Sequence, residues 1–180
     1  ILRINKEFPG HTTSRTIIVH DAFGLMTEQM TKYSESYAAN GPGSLTDGCR
    51  AHALSLGKDW LGFSGTNAEF TLDLKEVREI SNVNIGFLHN PANWIFLPTA
   101  VEIELSVDGI SYLPAGGMRP DLLTVREPVA IDYSQVSINQ KTRYLRIKAI
   151  NRGKCPEGHP GAGQDAWLFL DEVMVNYPLD

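Results

Sequence analysis

Two clusters of acidic and turn-forming residues stand out as places where the chain could do chemistry. The stretch Tyr33–Arg50, YSESYAANGPGSLTDGCR, places Asp47 among the punctuators Asn40-Gly41-Pro42-Gly43 and Asp47-Gly48. Residues of these types turn the backbone repeatedly and leave carbonyl oxygens that no ladder satisfies. A hard, oxygen-seeking cation would pair such oxygens, and hydrogen bonds internal to the loop are the alternative. At the other end of the chain, Asp171-Glu172 interrupts the apolar run AWLFLDEVMVNY. Neighbours on a regular strand point to opposite faces, so one of the two carboxylates is directed inward, where an unpaired charge is costly. A cation shared by Asp47, Glu172 and loop carbonyls would answer both demands and pin the last strand to the first loop. A Glu172 that faces water or an arginine would answer the second demand alone.

Aromatic rings in loops form a further group. Trp60 sits in GKDWLGFSG and Trp94 in HNPANWIFLP, while Trp167 opens the last apolar run and reads as core. An indole on a loop offers a flat apolar face on which a pyranose can stack while fixed polar groups take its hydroxyls. Asp59, His89, Asn90, Asn151 and Arg152 all lie in connecting segments and are polar groups of that kind.

Signs of catalysis are few. Glu102 and Glu104 share one face of a strand and imitate the paired carboxylates of a glycosidase, which stand about 5–9 Å apart. An alternating strand with one solvated face explains them equally well. Neither G-x-S-x-G, nor H-E-x-x-H, nor a glycine-rich phosphate loop occurs, and His11, His20, His52, His89 and His159 lack the spacing of zinc ligands. Cys49 and Cys155 have no C-x-x-C character, and either stay as thiols or form one disulfide in an oxidising compartment.

These residues must be positioned by one domain of 180 residues, 42% hydrophobic and 21% charged. A net charge of -5 with acids and bases interspersed argues against nucleic acid, and no apolar run is long enough to cross a bilayer. The opening is not a basic-plus-apolar leader, and a start without methionine fits a mature or excised segment. Thr16–Val19 reads as a strand and Ala22–Lys32 as a helical turn or two. Alternation predicts strands over Ala68–Leu74, Val101–Val107 and Arg143–Ile150, with further extended stretches at Val83–Leu88, Leu122–Tyr133 and Ala166–Tyr177. Asp108-Gly109 signals a hairpin with its return strand at Ile110–Leu113. Strands joined by turns, without amphipathic crossovers, predict an all-β sandwich of about eight antiparallel strands.

The segments YSESYAANGPGSLTDGCR, DWLGFSGTNAEFTLDL, VNIGFLHNPANWIFLPTAVEIELSVDGISY and RYLRIKAINRGKCPEGHPGAGQDAWLFLDEVMV together resemble the F5/8 type C, or discoidin-like, domain. The version most similar is the one attached to bacterial family 20 β-hexosaminidases and related glycoside hydrolases. The resemblance runs from Tyr33 to the end, leaving residues 1–32 as a lead-in or linker and 33–180 as the domain. It implies a galactose-binding-like jelly roll akin to carbohydrate-binding module family 32, without catalysis of its own, that tethers a hydrolase to a glycan. Terminal galactose or N-acetylhexosamine is the sugar it suggests, and the bacterial periplasm, cell surface or exterior the location. An accessory domain that packs on the hydrolase without binding sugar is the alternative. The resemblance also implies a structural calcium held by Asp47 and Glu172, with backbone oxygens near Leu45, Arg50 and His52. Its sugar contacts fall on Asp59, Trp60, His89, Asn90, Trp94, Asn151 and Arg152.

Overall fold

The computed structural model describes residues 2–8, 11–120 and 128–178, and the strands are numbered here in chain order. A hairpin of β1 (Leu2–Phe8) and β2 (His11–Ile17) forms a sheet of its own. The body is built from β3 (Thr27–Gln29), β4 (Leu61–Ser64), β5 (Ala68–His89), β6 (Ala100–Ser106), β7 (Leu113–Met118), β8 (Ala130–Ile150) and β9 (Trp167–Val175). Every pairing among them is antiparallel.

Two long strands make the sandwich. β5 and β8 run beside each other for their whole length, with register shifts at Asp73/Arg78 and Ile80/Asn82 where the ladder turns its corner. One layer follows the order β3, first half of β5, second half of β8, β6, β7. The other follows β4, β9, second half of β5, first half of β8. Phe70 and Leu72 of the first layer share one apolar core with Ile85, Phe87, Leu168 and Leu170 of the second.

At the corner the local sequence is polar, Lys75-Glu76-Val77-Arg78, and Lys75 takes a left-handed φ of 72°. Asp73 accepts the Lys75 N–H at 2.8 Å and is clamped by Arg143 of β8, whose Nε and Nη2 donate at 2.8 and 3.0 Å. A bidentate guanidinium fixes two strands at once, which holds the bend where pairing is interrupted. That clamp keeps the Asp73 carboxyl well below the usual carboxylate range.

The all-β sandwich matches the fold predicted from alternation, with three changes. The predicted strands 68–74 and 83–88 are halves of one strand, because the polar corner between them bends without ending the chain's extension. Ala22–Lys32 is not helical: a turn leads into β3, which pairs with Phe70–Leu72, so residues 18–32 belong to the sandwich rather than to a linker. The Asp108-Gly109 turn is present, but Asp108 also accepts from the N–H groups of Ile110 and Ser111 at 2.8 and 2.9 Å. Those bonds hold Ile110 out of the ladder, and the return strand starts at Leu113. The extended stretch expected over Leu122–Tyr133 lies partly outside the described residues, and β8 begins at Ala130.

Candidate functional site

The first loop and the last strand meet as the two acidic motifs anticipated, through a device that strand periodicity hides. Between Ile85↔Val173 and Phe87↔Leu170, β9 has one residue more than β5, so Asp171-Glu172 forms a bulge opposite Gly86. A bulge re-aims consecutive side chains, and both carboxylates reach the same loop instead of opposite faces. Asp171 Oδ2 accepts the Ala51 N–H at 2.9 Å, and Glu172 Oε1 accepts the Gly48 N–H at 3.1 Å. The Glu172 N–H, freed from the ladder, donates to Asp171 Oδ1 at 2.7 Å. Only glycine fits at position 86, since a Cβ there would overlap Asp171 Oδ1 and come within 2.8 Å of Tyr133 Cε1. Gly48 is equally constrained: its φ is +74°, and an added Cβ would meet Ile17 Cγ2 and Phe23 Cε2 at 2.9 Å.

Glu172 is fully buried, and its second neighbour is His20, whose Nε2 lies 2.9 Å from Oε1. This pair has the distance of a salt bridge without the charge of one. His20 Nδ1 accepts the Ala22 N–H at 3.2 Å, so the proton sits on Nε2, and burial pulls the ring's pKa down to about 4. A neutral His20 offers a hydrogen bond and no countercharge. Burial, with Asp47 and Asp171 close by, pushes the Glu172 carboxyl up to about 9, and burial raises Asp171 to about 6. Glu172 Oε2 is buried with no hydrogen-bond partner.

An orphaned carboxylate oxygen beside the Asp47 carboxylate fits a divalent cation, which would supply both the missing partner and the missing charge. Asp47 Oδ1 already holds the Cys49 N–H at 2.8 Å, an arrangement compatible with its other oxygen acting as a ligand. The His52 carbonyl fits this role poorly. It accepts from Ser55 N at 2.9 Å and from Trp60 Nε1 at 3.2 Å, which engages both of its lone pairs. Among the described residues no group of three or more His, Cys, Asp or Glu side chains gathers as metal ligands, so backbone oxygens would have to complete any shell. Beside this loop opens a depression of about 260 Å³ lined by Asp47, Arg50, His52, Lys58 and Asp59, among others.

The residues expected to touch sugar divide into three kinds. Trp60 is 0% exposed and packs with Leu88, Ile95 and Phe169 beneath the loops, so it presents no ring to a ligand. Its flanking glycines suggest a loop, but the turn folds back over the strands and encloses the indole. Asn151 is 8% exposed and spends its amide on the carbonyls of Phe63 and Ala166, at 3.2 and 3.0 Å, bracing the crossing of two loops. Asp59 lines the depression beside Asp47.

The third kind converges. β5 ends at His89, and Asn90–Trp94 forms a tight turn closed by Asn90 N bonding to Ile95 O and Trp94 N to Pro91 O. Trp94 adopts a left-handed φ of 64° and is 38% exposed. The loop 151–165 folds against this turn. His159 Nδ1 accepts the Gly161 N–H at 3.0 Å, so its Nε2 donates to Pro91 O at 2.9 Å. Gly161 lies against the indole, where a Cβ would come within 2.7 Å of Trp94 Cε2. Arg152 rests on the Phe96 ring with its guanidinium carbon 4.6 Å from the centroid, and Phe96 meets the His159 ring edge-on at 5.4 Å. Burial and the nearby Arg152 charge lower the pKa of His89. His89 Nδ1 and Asn90 Oδ1 are buried without protein partners, Asn90 as a whole being 3% exposed. The surface therefore combines a half-exposed indole and a guanidinium, while the unpartnered atoms of His89 and Asn90 are enclosed and do not face solvent.

Phe96, His159 and Gly161, which hold Trp94 and Arg152 in place, were not singled out by the sequence. His159 sits among the prolines and glycines of 156–163, and no local pattern marks its reach to Pro91. The Glu102 and Glu104 pair lies on an outer sheet face with Arg146 and Lys148. Arg146 Nη1 donates to Glu104 Oε2 at 3.1 Å and its guanidinium stacks on Tyr112 at 3.8 Å, so the depression of about 150 Å³ here has one of its carboxylates held in an ion pair. Cys49 and Cys155 do not bond to each other, since Cys155 is buried with Phe96 and Ala166 while Cys49 lies beside Asp47.

No family model and no curated protein matches the chain. Solved structures do match in fold. The module CpGH89CBM32-4 from Clostridium perfringens, in complex with GlcNAc-α-1,4-galactose, aligns over 87% of this chain and 92% of its own at 12% identity and TM-score 0.54. The CBM32 of AlyQ, in complex with 4,5-unsaturated mannuronic acid, aligns over 87% and 98% at 14% identity and TM-score 0.55. A fucolectin from striped bass serum aligns over 87% of this chain and 47% of its own at 18% identity and TM-score 0.56. The fold is thus that of family 32 carbohydrate-binding modules and discoidin-like, galactose-binding-like sandwiches.

Proposed function

We propose that this chain is a noncatalytic carbohydrate-binding module whose recognition surface is the end bearing Trp94, His89 and Arg152. The observation that carries the reading is the convergence of a half-exposed indole and a guanidinium on two contacting loops at one end of the sandwich. Structures of the same fold are described in complex with a galactose-containing disaccharide and with an unsaturated mannuronic acid, which supports a glycan as the ligand. In this reading the module belongs to a secreted or surface-bound bacterial glycoside hydrolase and raises the local concentration of its substrate. Calcium takes a structural part, with Asp47 and Glu172 as carboxylate donors and the carbonyls of Leu45 and Arg50 as further oxygens. A glycan array on the isolated chain tests the reading: binding to a subset of glycans that is abolished by Trp94→Ala supports it. No binding to any glycan refutes it.

A second reading has its own observation. Val19, Phe23, Met26 and Met30 are large apolar side chains exposed along one short segment, a composition suited to packing on a neighbouring domain. In that case the chain is a structural accessory domain, and Trp94→Ala changes nothing while polar substitutions at Phe23 and Met26 loosen the attached domain.

A further inference from the structure

We infer that the surface around Arg152 takes a glycan residue bearing a carboxylate, a uronic acid, in preference to its neutral counterpart. The inference rests on the carbohydrate-binding reading of this same surface and names the class of sugar. Arg152 is the point of departure. The arginines at the corner and on the outer face of the sandwich hold acids: Arg78 with Asp21 and Glu76, Arg143 with Asp73, and Arg146 with Glu104. Arg152 holds none among the described residues, and its one close partner is the face of Phe96.

A guanidinium whose carbon lies 4.6 Å from a ring centroid has an apolar neighbour on that side, and the ring offers its N–H groups no oxygen to accept a hydrogen bond. The N–H edge of a guanidinium matches a planar carboxylate through two parallel hydrogen bonds. A sugar hydroxyl can take only one such bond and carries no charge to match.

Among the described residues no carboxylate, that of Glu157 in the same loop included, lies within ion-pair distance of Arg152. Within the same loop, Asp165 is engaged by Lys154 at 2.7 Å. His159 has both ring nitrogens committed to backbone groups, and His89, its pKa lowered by burial and by Arg152 itself, contributes polarity without charge. The surface thus presents one fixed positive charge beside a stacking ring, although the whole chain carries -5. An acidic ligand gains nothing from long-range attraction here, so the preference resides in the local contact.

The test is calorimetric titration of the chain with oligogalacturonates and oligomannuronates, against galacto- and manno-oligosaccharides of equal length. Arg152→Gln, Arg152→Lys and Trp94→Ala are titrated in parallel, each checked for an unchanged melting curve. A charge-assisted bond predicts that one acidic series binds about tenfold to a hundredfold more tightly than its neutral counterpart. The preference shrinks with added salt. Arg152→Gln brings the acidic series to the affinity that the same variant shows for the neutral series, and Arg152→Lys retains part of the preference. Equal or tighter binding of the neutral series by the unaltered chain overturns the inference and leaves the carbohydrate reading standing. Absence of binding to both series overturns the inference, and the carbohydrate reading falls with it only if the glycan array is blank as well.

Discussion

Removal of the proposed cation, and of the carboxylate that would hold it, gives the most direct measurement on this molecule. Glu172 is buried, its Oε2 has no partner, and the histidine beside it is neutral. A divalent ion that binds only the folded state at a hundred times its dissociation constant adds about 2.7 kcal/mol of stability. For a chain of 180 residues, each kcal/mol moves the melting temperature by about 2–4 °C, so chelation should lower it by about 5–11 °C. Glu172→Gln keeps the volume and the oxygen that accepts from His20 and Gly48, and cannot ionise to hold a cation. In chelator it should therefore melt close to the parent chain, and calcium should no longer raise it. Differential scanning calorimetry of both chains, in calcium and in chelator at neutral pH, gives the four values needed. The reasoning is refuted if the parent melts at one temperature in both buffers, or if Glu172→Gln keeps the full calcium increment.

Two further perturbations probe what positions the sites. Gly86→Ala drives a methyl group into Asp171 and Tyr133, which costs about 1–3 kcal/mol of overpacking and about 1.5–3 more if the Asp171 bond to Ala51 N is lost. A drop in melting temperature of roughly 6 °C or more is expected, and a change under 2 °C would show that the bulge tolerates a side chain. Arg143→Ala releases Asp73 at the corner of the long strands, and urea titrations across pH should carry its signature. Because Asp73 has a depressed pKa when folded, its contribution is present above the ordinary value of 3.8 and is lost as pH falls below it. The variant should thus be the less stable at pH 7 and draw level with the parent in acid; a pH-independent gap would rule out the ion pair as the cause.

Much of the fold was legible because its signals are local. Ala68–Leu74 and Arg143–Ile150 alternate with period two, so which face each side chain takes follows from the pleat alone. Asp47-Gly48 and Asp108-Gly109 mark turns that depend on backbone conformations few other residues adopt. The corner at 75–82 was not legible, because a polar run with one left-handed lysine resembles a loop until a second long strand is found lying beside it. The recognition surface was half legible. His89, Trp94 and Arg152 are of the right types, yet so are Trp60 and Asn151, and residue type does not say which indole the loops will cover.

What the residues settled by themselves is the alternation, the turns and the inventory of groups able to stack, bond or carry charge. Three-dimensional packing decided which of those groups meet. An extra residue in β9 turned both carboxylates of Asp171-Glu172 toward one loop, and His159 joined the turn at Pro91 to a loop 68 residues away in sequence. Burial then chose between the tryptophans, enclosing Trp60 and leaving Trp94 at the surface. Backbone preference acts over a few residues, whereas burial and the desolvation of charge depend on everything that surrounds a side chain.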